Sequence, residues 1–177
     1  MTLQGQPTIA GTAICTQESE ISGHAQVFGS ASISGKSRVT DYARVRDNAY
    51  IAGNTTLAGN AVVGGNAQVG ESGGPDTKAS CNVIKDHAIV RGNALVWDNA
   101  MVKEKARVEG NAKIEDDVII GGEAQVHGDV VIQGKACIQG QALVTGTVYV
   151  CGGTTIEGDV TISSGTIRDI HWWRDVP

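Results

Sequence analysis

The residues able to do chemistry are few and scattered. Among 177 residues there are four His and four Cys: His24, His87, His127 and His171, and Cys15, Cys81, Cys137 and Cys151. Imidazole changes charge near neutral pH, so each His is a candidate for proton transfer. His87 stands out, because it follows the one break in the regularity of the sequence and sits beside Lys85 and Asp86. The cysteines lie far apart with no CxxC pair, which argues for free thiols in a reduced, cytoplasmic chain rather than a disulfide framework. Lys36, Arg38, Arg44 and Arg46 fall on neighbouring units and could receive a carboxylate or phosphate; a solvated face is the plainer reading. The glycines between 70 and 74 lack the GK[ST] ending and the following helix of a phosphate-binding loop. At the other end, Ile167, Ile170, Trp172 and Trp173 gather apolar mass, either as a cap or as a docking peptide with two Trp anchors.

What must position these residues is a repeat of six. It is most legible at 92–114: GNALVW, DNAMVK, EKARVE, GNAKI. Each unit reads Gly or Asp, then Asn, a small residue, a free position, an aliphatic and another free position. The aliphatic slot falls on Ile9, Cys15, Ile21 and every sixth residue to Val69, and in a new phase on every sixth residue from Ile84 to Ile162. From Val69 to Ile84 is 15 residues, nine more than one period, so a surface loop is expected over 70–83. The small and aliphatic slots are two apart and face the same way in a strand. The Gly/Asp-Asn pair between them and the next unit is turn chemistry. Three units make an 18-residue triangular coil, and coils stack as parallel strands about 4.8 Å apart. The prediction is an all-β parallel β-helix of about eight coils over residues 1–166, with 167–177 as cap or docking tail. Asn93, Asn111 and Asp129 should stack, and so should Asn48 and Asn66, as turn amides with no further role.

Composition agrees. Hydrophobic residues make up 41% and aromatics only 4%, so the interior is filled by small and branched aliphatics, as a narrow core requires. A net charge of −5 argues against a nucleic-acid surface. No apolar run is long enough to span a membrane, and Met1–Pro7 has neither the basic nor the apolar region of a signal peptide.

The AxVxGN and small-x-[IV] cadence resembles the hexapeptide-repeat, left-handed parallel β-helix superfamily over roughly residues 7–69 and 82–166. Stretches such as 134–139 (GKACIQ), 122–126 (GEAQV) and 110–114 (GNAKI) look like bacterial YdcK-like and prophage-borne proteins. Left-handedness is implied by the resemblance, since the general rule for parallel crossovers is right-handed. So are a homotrimer and two chemistries: acyl transfer from acyl-CoA or acyl carrier protein with a His general base, and zinc-dependent carbonic anhydrase activity. The order here is Asp-His-Ala, which departs from the family's His-Asp-small, and His24 and His87 both occupy the Asn slot of their units. Zinc needs three converging imidazoles, and the closely spaced His pair is absent, so no metal site is expected.

Outward positions are uneven. Val83, Met101, Ile119 and Cys137 follow one another at 18-residue spacing, an apolar strip of the kind that marks an interface. Leu95 and Val131 extend apolar surface on another face, interrupted by Lys113. The sequence thus supports a non-catalytic β-helical scaffold that self-associates and presents its loop and tail to a protein partner, with no cofactor required. The alternative is an acyl-CoA-dependent acyltransferase with His87 as general base.

Overall fold

The six-residue rhythm builds a three-sided prism. The computed structural model describes residues 1–70 and 81–174. Its strands pair in parallel with those one coil away, Ile21 beside Val39 and Met101 beside Ile119. The first face holds ten strands, from Thr2–Gly5 to His171–Arg174. The second begins at Thr8–Ile9 and the third at Ile14–Cys15. Near the C-terminus, strands Leu143–Cys151 and Thr161–Arg168 run round the corner between these two, joining them into one 16-stranded sheet. The result is a left-handed parallel β-helix of about 9 turns, with no helix among the described residues.

The two inward slots make the core. Ile21, Val27, Ile33 and their successors are fully buried, and beside them lie Ala25, Ala31, Ala43 and the other small residues at the corners. At the third corner, between third and first faces, the small slot carries hydroxyls in four coils, while Asn82, Ala100, Val118 and Ala136 fill it in the coils between. Ser19, Ser37, Thr55 and Thr154 are buried there, each donating at 2.7 Å to the carbonyl three residues back. These bonds satisfy polar groups that burial would otherwise leave stranded.

The turns explain the Gly/Asp preference. Their first residue is left-handed: Asp41, Asp47, Asp86 and Asp116 have φ of 59, 63, 63 and 64°. Gly tolerates this at no cost, and Asp is among the few side chains that accept it. At Gly122 a Cβ would stand 2.6 Å from the carbonyl oxygen of Gly140 in the next coil. Where Asp is used, its carboxylate accepts from the backbone one coil on, as at Gly59 N–H to Asp41 and Gly65 N–H to Asp47, both 2.8 Å. The expected amide stacks form one ladder at the second corner, Asn48–Asn66–Asn93–Asn111–Asp129, with contacts of 3.1, 3.1, 3.1 and 2.8 Å.

The spacing of paired residues changes across the break. Partners are 18 residues apart on either side of it, as far as Val144 and Ile162, but Leu57 pairs with Ile84 and Asn66 bonds Asn93, 27 residues on. Of the expected loop 70–83, Gly70 ends strand Gln68–Gly70 and Val83 begins Val83–Ile84; residues 71–80 lie outside the described residues. At the neck, buried Asn82 donates from Nδ2 to the Gly70 carbonyl at 2.8 Å.

The coil count differs from the expected eight at both ends. Thr2–Gly5 already forms a rung, with Leu3 in register with Ile21. At the C-terminus the period contracts to five. Ile162 keeps its partner Val144, 18 back, whereas Ile167 pairs with Val150 and Trp172 with Ile156. The last coil is therefore 17 and then 16 residues round, and a six-residue step from Ile162 falls on Arg168 instead of Ile167.

Candidate functional site

His87 stands at the first corner, between first and second faces. The turn that holds it joins strands Val83–Ile84 and Ile89–Val90, and its backbone N–H donates to the Glu104 carbonyl at 2.7 Å. Stacking puts it in a column that runs His24, Tyr42, Asn60, His87, Lys105, Glu123. His24 stacks on Tyr42 with ring centroids 5.0 Å apart. His87 Nε2 is 3.4 Å from Asn60 Nδ2, at the long limit of hydrogen bonding. The carboxylates nearby are committed elsewhere. Lys105 binds Glu123 at 2.7 Å and holds its carboxyl below the usual range. The Lys103 ammonium, 3.0 Å away, and then the Gly122 N–H do the same for Glu104. Among the described residues no carboxylate hydrogen-bonds His87, and Lys85, in the same turn, has no ion-pair partner.

The other imidazoles stay apart from it. His127 lies at the second corner, its Nδ1 2.9 Å from Thr145 Oγ1. His171 is in the tenth strand of the first face, opposite Thr155. Among the described residues no three of His, Cys, Asp and Glu come together as metal ligands, and all four cysteines are free.

The four cations do not form one patch. Lys36 is at the third corner. Arg38 is on the first face, 3.3 Å from Glu20, and Arg44 on the second, opposite Gln26 and Val62. Arg46 is at the second corner, 3.8 Å from Asp47. Units adjacent in sequence lie on successive faces of a prism, so side chains gather only at the coil spacing, which these four do not have.

Val83, Met101, Ile119 and Cys137 do have it. They stand in register on the first face beside the corner of His87, each half-buried by its neighbours, with Gln139 Nε2 3.0 Å from Cys137 Sγ. Trp172 and Trp173 have a backbone role, pairing with Ile156 and Glu157 as the last rung.

A feature missed in the sequence is a groove of about 430 Å³ at the third corner. Gly35 and Gly53, one coil apart, form its floor. A Cβ at Gly35 would stand 2.7 Å from the Gly53 carbonyl oxygen, so the floor is bare backbone. Tyr50 and Ser34 line it from the third-face side, Ser34 Oγ being 3.3 Å from the Tyr50 hydroxyl. Glu18, Lys36 and Asn54, stacked at 18-residue spacing, line it too. Comparable acid–base pairs in this molecule close, Arg91–Glu109 at 3.0 Å and Lys105–Glu123 at 2.7 Å. Glu18 and Lys36 form no ion pair among the described residues. The signal available was the pair of turn glycines 18 residues apart beneath a Tyr.

No family model matches the chain, and no curated protein sequence matches it. Among solved structures it is similar to the UDP-N-acetylglucosamine O-acyltransferase (LpxA) of Moraxella catarrhalis RH4, at 17% identity over 92% of this chain and 70% of that one, with a TM-score of 0.69. It is also similar to the UDP-N-acetylglucosamine acyltransferase of Arabidopsis, at 14% identity over 93% and 69%, with a TM-score of 0.51. At these identities the likeness is one of architecture: the chain has the hexapeptide-repeat, left-handed parallel β-helix fold.

Proposed function

We propose that the protein is an acyltransferase with acyl-CoA as donor and His87 as general base. The observation that carries the reading is the likeness, over 92% of the chain, to an O-acyltransferase, in a molecule whose His87 keeps a ring nitrogen only loosely engaged at 3.4 Å. An acceptor hydroxyl that replaces the Asn60 amide at Nε2 gives up its proton there, and its oxygen takes the acyl carbon. Bound acyl-CoA would supply the thioester whose C–S bond breaks, and the imidazolium returns its proton to the departing sulfur. Lys85 is the cation placed to meet an anionic donor; Lys103 and Lys105 are tied to Glu104 and Glu123. In this reading the Val83–Met101–Ile119–Cys137 strip seats a second subunit of a homotrimer, and a substrate groove forms between the two subunits beside His87.

The test is calorimetric titration with acetyl-CoA and CoA, together with release of free thiol. Micromolar binding is expected, with His87→Ala keeping the binding and losing roughly 10²-fold or more of the turnover. Absence of binding up to about 1 mM by the folded oligomer would sink the reading. One observation favours a non-catalytic scaffold as the second reading, namely that His87 lacks an orienting carboxylate among the described residues. A scaffold predicts indifference to His87→Ala and loss of partner binding on Trp172→Ala/Trp173→Ala.

A further inference from the structure

We propose that the third-corner groove binds a saccharide carrying an anionic group, a uronate or a sugar phosphate. The site is independent of the acyl-transfer reading, because His87 stands at a different corner.

Left-handed Gly35 and Gly53 keep side chains out of two successive coils, so a flat ligand can lie against the backbone. Tyr50 is 43% exposed and projects from the third face beside that floor. An exposed aromatic beside a polar groove offers the surface on which the C–H face of a pyranose packs, apolar body against apolar ring with hydroxyls at the edge. The polar lining matches that edge. The Glu18 carboxylate accepts from hydroxyls, the Asn54 amide both donates and accepts, and the Ser34 hydroxyl does either. Lys36 adds a cation, placed one coil from Glu18 and not neutralised by it. A neutral sugar leaves that charge unused, whereas a carboxylate or phosphate substituent pairs with it. The volume falls within the range of small-molecule sites, and the groove's shallow build suits a ligand that keeps one face in water.

Two sources share this chemistry, a free acidic sugar and a residue within an acidic polysaccharide. The experiment is saturation-transfer NMR and calorimetry on the full chain with glucuronate, glucose 6-phosphate, a glucuronate-containing oligosaccharide, glucose and inorganic phosphate. Expected is transfer to the ring protons of the acidic sugars, with affinity at least tenfold above glucose. Tyr50→Ala should weaken binding about tenfold. Lys36→Gln should erase the preference over glucose while leaving the glucose signal unchanged. These side chains project from the prism, and an unchanged circular dichroism spectrum verifies the fold of each variant. Stronger binding of the oligosaccharide than of glucuronate assigns the polymer as the source, and equal binding assigns the free sugar. No binding of any sugar at about 10 mM overturns the proposal. So does binding that survives both variants, or inorganic phosphate that binds as tightly as glucose 6-phosphate.

Discussion

A side chain in this molecule is judged by its neighbours one coil away. Asn93 shows it: its amide accepts from Asn66 and donates to Asn111, both at 3.1 Å. Asn93→Ala removes two bonds at an exposed site, and a loss of about 1 kcal/mol is expected in urea melts. Glu115 shows the converse. Burial pushes its carboxyl above the usual range, with Lys113 partly opposing and Asp116 and Asp98 adding to the shift. The folded state thus holds the proton to higher pH than the unfolded chain does. That stabilisation is complete below the unfolded value of about 4.3 and is lost as pH rises through the folded one. Glu115→Gln should therefore raise the Tm at pH 7, and the gain should vanish near pH 3.5. His87, Lys36 and Tyr50 were each visible as residues, but their partners were not. Asn60 is 27 residues from His87, and the groove draws on three coils, so only the stacking brings either set together.

A single turn or strand was far easier to anticipate, because its causes lie within six residues. The aliphatic and small slots face the same way by strand alternation, and the left-handed turn position favours Gly, which lacks a Cβ, and Asp, whose carboxylate bonds the backbone; Glu104, at φ 61°, is the exception in this stretch. Both follow from types and spacing, and both hold at 92–114 as read. Gly122→Ala should cost more than about 1 kcal/mol, since its φ is 66° and the new methyl would meet the Gly140 carbonyl. Ala106→Leu at a fully buried corner slot should cost about 1–3 kcal/mol by overpacking. Thermal melts of the two variants check these figures. What could not be read was the contraction at the C-terminal end. Ile167 and Trp172 pair with Val150 and Ile156 at five-residue steps, without the Gly-Asn punctuation that marks the steps of six. The four cations failed for the opposite reason, since closeness in sequence puts units on different faces.

Taken whole, the prism has one face whose outward column is apolar for four successive coils. If that strip seats another copy, Met101→Lys should convert the oligomer to monomer in sedimentation equilibrium while the monomer stays folded; an unchanged mass would remove the strip from the interface. The stacking has a further consequence, for how the chain reaches this shape. All-parallel sheets are ordinarily slow to fold, because their partners are distant along the chain. Here partners are 18 residues apart in a chain of 177, a relative contact order of about 0.1, which is the range of helical bundles. Folding can begin at any coil and spread by adding neighbours. The insertion barely interrupts that zipper: closing 27 residues instead of 18 costs about 0.4 kcal/mol more in chain entropy. An all-β protein of this build should refold as quickly as a helical one, with its longest pause where Leu57 must find Ile84.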